Sequence, residues 1–317
     1  MVRRADEVHV VVVGSTNFDM VVKADRLPKE GESMLVTNLK FFPGGKGANQ
    51  AVGVARLGAK TTFVGSVGKD MIGDFLIQGL EFNAIDTGHV KRDTKRTTGC
   101  AFIMLFPNGN NSIVVDASAN FSLTAADIER AAPVIEKADA LCTVLEIPME
   151  VVEASLRIAR KAGKLTVLDA GPPRNCPPEI LKLADIVSPN ETELAHLTGE
   201  EVSGRVSARE AAETLLAMGV KTVVLKLGSD GAMLVTGKSY KHFPAHKVTA
   251  VDPTAAGDAF TAALTVQLAV GAKMDAAIRY ANMAGALAVT KLGAQPSLPT
   301  AAEVEAFQSG LSKQAGA

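Results

Sequence analysis

A turn of small residues leads into a long apolar helical pattern in the stretch Val251-Asp252-Pro253-Thr254-Ala255-Ala256-Gly257-Asp258-Ala259-Phe260. Ala255, Ala256 and Gly257 have almost no side chain, so a ligand can approach the backbone there. The helix that they open would direct its unsatisfied N–H groups outward, and such a helix start suits a phosphate. The stretch therefore predicts an anion hole.

Asp258 falls in the first turn of the same predicted helix. A carboxylate is favoured there by the helix dipole, and it can accept a proton from an alcohol. A base beside an anion hole indicates phosphoryl transfer to a hydroxyl. The alternative is an ordinary helix start, with Asp252 or Thr254 as the N-cap and Asp258 as a solvated first-turn acid.

The rest of the chain predicts an α/β fold. Residues Val8 to Val13, all valine except His9, form an apolar run that ends at Gly14, which is typical of a strand buried on both faces of a parallel sheet. From Leu123 onward predicted strands and helices alternate, which indicates a central, mostly parallel sheet with helices on both faces. We find no internal repeat or linker and expect a single α/β domain over residues 1–317.

Two segments, from about 18–42 and 97–115, have a β rather than an α/β pattern. The first includes the alternating residues Ser33 to Thr37, and the second includes Cys100 to Phe106 and Ser112 to Val115. We expect the two segments to pair into a small β-sheet that forms a lid over the site. The exposed face of such a sheet could pair with a second copy, which predicts a homodimer.

Polar residues follow two predicted elements and are candidate ligand contacts. Asn17 and Asp19 come after the first strand, and ligands in open α/β sheets gather at the carboxyl ends of strands. The alternative for this pair is an Asx turn. A glycine-rich entry to a helix, Gly44-Gly45-Lys46-Gly47-Ala48-Asn49-Gln50, is a second candidate site for a polar ligand.

Composition and missing motifs exclude several classes. The 317 residues carry a formal net charge of −1 with dispersed charges, so we expect small-molecule partners and no nucleic acid. The first strand ends without a GxGxxG fingerprint, which argues against a nicotinamide-dependent oxidoreductase, and no Walker GxxxxGK[ST] loop is present. No apolar run is long enough for a membrane span or a signal peptide, and the cysteines (Cys100, Cys142 and Cys176) are odd in number and widely spaced. We expect a cytoplasmic protein that does not contact membranes.

Three motifs together resemble the ribokinase-like, or PfkB, family of carbohydrate kinases. Residues 44–52, beginning Gly-Gly-Lys-Gly-Ala-Asn-Gln, resemble the N-terminal signature of the family, and residues 252–258 resemble its C-terminal signature. Between them Pro189-Asn190-Glu191-Thr192-Glu193 is similar to the NxxE motif that the family associates with magnesium. The order and spacing of the three motifs cover nearly the whole chain.

The resemblance implies an ATP-dependent kinase that phosphorylates D-ribose at its 5-hydroxyl to give D-ribose 5-phosphate and ADP. Asp258 would be the general base, and the backbone amides of Ala255, Ala256 and Gly257 would hold the γ-phosphoryl group. Same-family alternatives are kinases for deoxyribose, a ketohexose or a nucleoside. The alternative from a different class is a sugar-binding protein that has lost the chemistry.

The resemblance also implies a set of ligand contacts. The sugar would be bound by Asn17, Asp19, Gly45, Lys46, Asn49, Glu146 and Asp258. ATP would be bound by Asn190, Leu227, Gly228, Ser229, Asp230, Gly231, Gly257 and Asn282. Glu193 would act on Mg²⁺, mainly through water. An activating K⁺ would be held by Asp252, Thr254, Ala288, Gly293 and Ser297.

The sequence departs from the family pattern at two places. Pro253 replaces the usual threonine, which removes one backbone donor and stiffens the turn. Asp169-Ala170-Gly171-Pro172-Pro173 replaces an Asn-Pro-Ala-Pro pattern at a strand end. The second departure makes the identity of the substrate less secure than the type of reaction.

Overall fold

The computed structural model describes residues 2–107, 111–237 and 239–315, so residues 108–110 of the second predicted β segment lie outside it. The strands of the described chain are His9–Val13 (β1), Asn17–Lys23 (β2), Lys40–Gly44 (β3), Lys60–Gly68 (β4), Asp86–Asp93 (β5), Cys100–Leu105 (β6), Asn111–Asp116 (β7), Ala140–Val144 (β8), Leu165–Asp169 (β9), Ile186–Ser188 (β10), Thr222–Lys226 (β11), Ala232–Thr236 (β12) and Ser239–Phe243 (β13). Its α-helices are Lys46–Arg56 (α1), Met71–Phe82 (α2), Ala125–Lys137 (α3), Met149–Lys161 (α4), Pro178–Leu181 (α5), Glu191–Thr198 (α6), Arg205–Ala217 (α7), Ala256–Ala269 (α8), Met274–Ala288 (α9), Ala294–Ser297 (α10) and Ala301–Ala315 (α11).

Nine of these strands form the central sheet, in the order β13-β12-β11-β10-β9-β8-β1-β4-β5. Neighbouring strands from β11 through β5 pair in parallel, whereas β12 and β13 are antiparallel additions at one edge. The predicted mostly parallel α/β sheet is confirmed.

Strand β1 shows why this sheet has helices on both faces. Val10 and Val12 pack into an apolar cluster with α1, α8 and α9, while Val11 and Val13 pack on the other face with α3, α4 and α7. All four valine side chains are fully buried. A continuous β-branched run is therefore covered on both faces, as a parallel strand requires.

The strand order reverses between β1 and β8, and this reversal locates the site. From β1 the chain proceeds to β4 and β5 in one direction, and from β8 it proceeds to β9, β10 and β11 in the other. In open α/β sheets the crevice outside the carboxyl ends of strands at such a switch point is where ligands bind. The segments after β1 and β8 carry Asn17 and Glu146.

The small sheet has four strands in the order β3-β2-β6-β7. Its central pair, β2 and β6, is parallel, and the two outer pairs are antiparallel. Asp19 lies opposite Phe42 and Ala101 in the register, so these residues share one face, which we call the inner face. The predicted strand at Ser33 to Thr37 is wrong, because this segment forms no regular structure and Leu35 within it is 99% exposed.

No helix among the described residues is long and apolar enough to cross a membrane.

Candidate active site

The N-terminus of α8 is open to solvent-borne ligands. Its N-cap is Ala255 in the left-handed conformation, with φ of 62°, and no side chain caps the helix. Among the described residues the N–H groups of Gly257 and Asp258 have no hydrogen-bond acceptor. The alternative of an ordinary N-cap is wrong, because Asp252 accepts from the Thr254 and Gly293 backbones instead. The Gly257 and Asp258 N–H groups are thus free to bind an anion, whereas the Ala256 N–H donates to Pro253 O at 3.3 Å.

Asp258 is buried beside this helix start and is held by two amides of α1. Asn49 Nδ2 donates to Asp258 Oδ2 at 2.8 Å, and Gln50 Nε2 donates to Oδ1 at 3.3 Å. Burial raises the pKa of the Asp258 carboxyl, and the ammonium of Lys46 opposes that rise only in part. A carboxylate with a raised pKa is a better proton acceptor at neutral pH. Asp258 is therefore placed to act as a base, not as a solvated acid.

Asn49 keeps one polar atom uncommitted. Its Oδ1 is buried and has no hydrogen-bond partner among the described residues. A buried acceptor without a partner costs free energy unless a ligand or water satisfies it. Asn49 can therefore accept from a bound hydroxyl while its Nδ2 holds Asp258.

The segments that follow β1 and β8 meet at Glu146. Its Oε2 accepts from Ser15 Oγ, from the Lys46 backbone N–H at 3.2 Å and from Asn17 Nδ2 at 3.5 Å. Asn17 Oδ1 in turn accepts from Asn120 Nδ2 at 2.7 Å. The structure thus brings together Asn17 and Glu146, which the family resemblance implies as sugar contacts, and Glu146 also holds two loops in place.

Asp19 lies on the inner face of the small sheet and is 7% exposed. Burial, together with the nearby carboxylates of Glu146 and Asp258, raises the pKa of Asp19 to about 7. Gly44 leaves the space that this side chain occupies, since a Cβ on Gly44 would lie 2.1 Å from Asp19 Oδ2. Asp19 is therefore confined by its neighbours in a position that suits a ligand hydroxyl.

A cavity of about 270 Å³ extends along the inner face of the small sheet. Its walls include Asp19, Phe42 and Ile103 from that sheet, and Asp252 and Gly293 from the segments beside α8. The small sheet thus covers a cavity that reaches from Asp19 to the loop before α8.

Lys46 is the cation at the centre of this group of carboxylates. Its Nζ lies 3.8 Å from Glu193 Oε1. Burial alone would lower the pKa of Lys46, but the surrounding carboxylates, among them Asp258 and Asp169, outweigh burial and raise it. Gly45 precedes it with φ of 86°, where a Cβ would lie 2.6 Å from the Thr16 backbone, so only glycine fits this turn.

Asn190 and Glu193 form the start of α6. Asn190 Oδ1 accepts from the Glu193 N–H, and Glu193 Oε2 accepts from the Asn190 N–H, both at 2.8 Å. This reciprocal capping box orients the buried Glu193 carboxylate. Glu193 Oε1 and Oε2 face Lys46 and Lys226, at 3.8 and 3.9 Å.

The predicted nucleotide loop and Asn282 both lie against the backbone carbonyl oxygen of Phe243. A Cβ on Gly231 would lie 2.1 Å from Phe243 O, and Asn282 Nδ2 donates to the same oxygen at 3.1 Å. Leu227 is buried, and the residues between it and Gly231 form a short 3₁₀ turn. The loop and Asn282 thus lie together, although the Asn282 amide nitrogen is already bonded to the protein.

Two of the residues predicted to hold K⁺, Asp252 and Gly293, are hydrogen-bonded to each other. Asp252 Oδ2 accepts from the Gly293 N–H at 2.8 Å, and the Val251 and Asp252 N–H groups donate to Val289 O. These bonds join the loop before α8 to the segment that connects α9 and α10. Asp252 and Gly293 are in direct contact. Of the other predicted positions, Thr254 lies in the loop before α8, Ala288 ends α9 and Ser297 ends α10.

Three charged or polar residues near Asp258 were not predicted as site residues: Gln50, Asp169 and Lys226. Lys226 Nζ donates to Asp169 Oδ2 at 2.8 Å, and Gln50 Nε2 donates to the same oxygen at 3.1 Å. The sequence carried signals for all three, since Gln50 follows Asn49, Lys226 precedes Leu227, and Asp169 begins a departure from the family pattern.

Comparisons with known proteins identify the family of this chain. Residues 8–301 match the pfkB family of carbohydrate kinases. A ribokinase of Staphylococcus aureus (strain COL) is 38% identical over 297 residues, which cover 93% of this chain and 98% of that protein. A deoxyribokinase of Salmonella typhi is 34% identical over 304 residues, which cover 96% and 98% of the two chains.

Solved structures give the same result. The structure of Arabidopsis thaliana ribokinase complexed with ribose and ATP is similar to this fold with a TM-score of 0.89 at 34% identity, and the match covers 95% of this chain and 98% of that one. The family match spans the start of α8, Asp258 and the central sheet. The chain therefore belongs to the pfkB family of carbohydrate kinases.

Proposed function

We propose that this protein transfers the γ-phosphoryl group of ATP to the 5-hydroxyl of D-ribose, giving D-ribose 5-phosphate and ADP. The observation that carries the proposal is the open start of α8 beside buried Asp258, whose carboxylate is held by Asn49. The similar ribokinase structure with ribose and ATP supports both ligands.

In the proposed mechanism Asp258 removes the proton from the sugar hydroxyl as its oxygen attacks the γ-phosphorus. The bond from phosphorus to the β,γ-bridging oxygen breaks, and ADP leaves with the electron pair. The N–H groups at the start of α8 (Ala255 to Gly257 and Asp258) stabilise the charge that develops on the phosphoryl oxygens. On the sugar side, Asn17, Asp19, Asn49 and Glu146 offer amides and carboxylates that suit vicinal hydroxyls.

For the nucleotide, we propose that ATP lies along the loop from Leu227 to Gly231, with the adenine near Asn282 and the phosphates pointing towards Asn190 and Gly257. Glycines at this loop permit close approach of a flat base or ribose, and Gly231 is confined against Phe243.

We propose that Mg²⁺ binds at this site together with ATP. No group of three or more His, Cys, Asp or Glu side chains that could hold a metal ion is found in the described part of the chain. Glu193 offers one carboxylate, and Lys46 Nζ and Lys226 Nζ lie 3.8 and 3.9 Å from its oxygens, so we propose that it contacts a hydrated ion through water and does not ligate it directly. The ion, held mainly by phosphate oxygens and water, would neutralise charge on the β- and γ-phosphates.

We also propose that K⁺ binds between the loop before α8 and the segment after α9. Asp252 and Gly293 join these segments, and backbone oxygens there suit a weakly hydrated monovalent ion. The proposed ligands are Asp252, Thr254, Ala288, Gly293 and Ser297. Replacement of K⁺ by tetramethylammonium should lower the rate, and an unchanged rate would reject the site.

The small sheet is proposed to be a lid that closes over the sugar. Its inner face carries Asp19 and lines the cavity beside the anion hole. Closure would exclude water and limit wasteful hydrolysis of ATP. An ATPase rate without sugar that equals the kinase rate would contradict the lid.

The outer face of the small sheet is proposed to be the interface of a homodimer. Met20, Phe41, Phe102 and Val114 lie opposite one another in the register and share this face. Phe41, Phe102 and Val114 are 54%, 50% and 67% exposed, which is a contiguous apolar patch that a second copy could cover. Light scattering should give a dimer mass for the wild type and a monomer mass for Phe102→Glu/Val114→Glu. A monomeric wild type at micromolar concentration would exclude the dimer.

We propose that the protein works in the cytoplasm. Cys100, Cys142 and Cys176 are all free thiols, as in proteins of reducing compartments. Cell fractionation of the source organism tests this location, and recovery of the protein outside the cytoplasm would reject it.

The substrate is tested by ADP release in the presence of ATP, Mg²⁺ and K⁺ with D-ribose, 2-deoxy-D-ribose, D-fructose or adenosine. We expect the highest kcat/KM with D-ribose. The deoxyribokinase relative supports 2-deoxy-D-ribose as the second candidate, and a clear preference for it would replace ribose. Binding of sugar by calorimetry without any ADP release would indicate a non-catalytic sugar-binding protein.

A further inference from the structure

Asp169, at the end of β9, is a fully buried carboxylate that is not assigned to the ligands. Three donors converge on its Oδ2: Lys226 Nζ at 2.8 Å, Thr261 Oγ1 at 2.8 Å and Gln50 Nε2 at 3.1 Å. Its Oδ1 accepts from the Gly171 N–H at 3.0 Å. A charge this deeply buried is stable only when it is paired and hydrogen-bonded in this way.

Gln50 connects Asp169 to the base. Its amide nitrogen has two hydrogens, and it lies 3.1 Å from Asp169 Oδ2 and 3.3 Å from Asp258 Oδ1, so one hydrogen can bond to each carboxylate. Its Oε1 accepts from Cys142 Sγ at 3.1 Å. All the hydrogen-bonding atoms of this buried amide are therefore engaged, and its orientation is fixed.

We propose that Gln50 is a positioning residue for Asp258 and that Asp169, anchored by Lys226, sets the orientation of Gln50. The inference rests on the proposed function, because it assigns Gln50 a role only if Asp258 is the base. Asn49 holds Oδ2 of Asp258 and Gln50 holds Oδ1, so the two amides together fix the plane of the carboxylate. A lone pair of Asp258 is then directed at the sugar hydroxyl before the sugar binds.

The anchor itself is a pair of opposite charges on two separate strands. Asp169 ends β9 and Lys226 ends β11, with β10 between them in the sheet. Lys226 Nζ bonds to Asp169 and lies 3.9 Å from Glu193, so the ammonium lies between two carboxylates that would otherwise repel. Where the family pattern has asparagine, this chain has Asp169, and the buried negative charge of Asp169 is paired with Lys226.

Gln50→Met tests the role directly, because methionine preserves the length and approximate volume of the side chain but cannot donate to Asp258. We expect kcat to fall by about 10- to 100-fold, the range associated with small misplacement of a reacting group. The dissociation constant of the sugar, measured by calorimetry, should change less than about threefold, because the sugar contacts of Asn49 and Asp19 remain. If Gln50 had only a structural role, Gln50→Met would lower thermal stability and would not reduce kcat while leaving sugar affinity unchanged.

A double-mutant cycle tests the chain of contacts. If Asp169 acts through Gln50, Asp169→Asn should lower kcat, and Gln50→Met/Asp169→Asn should be no slower than Gln50→Met alone. If Asp169→Asn does not fold, Asp169→Asn/Lys226→Met, which neutralises both partners, takes its place in the cycle. The matched control is Asp185→Asn. Asp185 precedes β10 and pairs at 2.6 Å with Lys221, which precedes β11, so this ion pair lies at the ends of the strands away from Asp258. The control should retain wild-type kcat.

The outcomes separate this inference from the proposed function. Wild-type turnover of any tested sugar supports a kinase, and the variants are then compared with that sugar. Wild-type kcat in Gln50→Met, or multiplicative losses in the double variant, would overturn the positioning role while leaving the kinase intact. If the wild type turns over no sugar, the proposed function fails, and crystal structures of the wild type and Gln50→Met still decide the inference. An unmoved Asp258 carboxylate in the variant would overturn it.

Discussion

Asp19→Asn should stabilise the sugar-free protein at neutral and alkaline pH. The buried carboxyl has a pKa of about 7 in the folded protein, against an ordinary value of 3.8, because burial and the carboxylates of Glu146 and Asp258 disfavour its charge. The folded state therefore holds the Asp19 proton more tightly than the unfolded state. Between these two values the free energy of unfolding of the wild type falls as pH rises, and the loss is complete above pH 7.

The magnitude follows from the shift of the pKa. A rise from 3.8 to about 7 corresponds to ~4 kcal/mol at 1.36 kcal/mol per pKa unit, as an upper bound that relaxation of the site reduces. Asparagine cannot ionise, so the advantage of Asp19→Asn over the wild type should grow from ~2 kcal/mol at pH 5 to as much as ~4 kcal/mol at pH 8.

Urea unfolding at constant ionic strength between pH 5 and 8 measures this difference. The control is Asp25→Asn, an exposed aspartate that follows the same strand, and its stability should run parallel to that of the wild type. The reasoning would be refuted by a difference between Asp19→Asn and the wild type that does not change with pH. The variant should also bind ribose more weakly, since Asp19 is a proposed sugar contact.

Three glycine and alanine substitutions test the backbone of the site. Gly44→Ala should raise the Kd of the sugar at least tenfold, because the new Cβ would lie 2.1 Å from Asp19 Oδ2 and displace the Asp19 side chain. Isothermal calorimetry measures this Kd, and a wild-type value would contradict the prediction. Gly231→Ala should lower stability by ~1–3 kcal/mol and raise the KM of ATP, because φ is 98° and the Cβ would approach Phe243 O; unchanged thermal unfolding would count against this packing. Ala255→Gly should raise the free energy of unfolding or leave it unchanged, because a φ of 62° costs ~1 kcal/mol for a residue with a Cβ and nothing for glycine. A clear loss of stability in thermal unfolding would show that this backbone strain is absent.

The elements that the sequence predicted best are those whose pattern is set by local chemistry. The valine run of β1 required burial on both faces, and the small residues before Asp258 required an open helix start; both are present. The prediction at Ser33 to Thr37 failed because an alternating sequence pattern forms a strand only when a partner strand is available to pair with it. In the structure that segment has no partner strand among the described residues, and Leu35 is exposed.

The contacts behind the base could not be predicted, because they join residues that are distant in sequence. Asp169 and Lys226 are separated by 57 positions, and Gln50 and Asp258 by 208. Each residue alone fits several roles, and only the order of β9, β10 and β11 in the sheet brings the two charges together. The family signatures identified Asp258 and Asn49, whereas the groups that orient them became apparent only from the fold.

The most direct test of the central claim is the turnover and sugar binding of Asp258→Asn, measured beside the wild type. Loss of the general base should lower kcat by about 10²- to 10⁴-fold. Ribose affinity by calorimetry should stay within a few fold of wild type, because asparagine preserves the shape of the side chain and the other sugar contacts are unchanged. Asp258→Asn with near wild-type kcat would contradict the assignment of Asp258 as the base and, with it, the proposed mechanism.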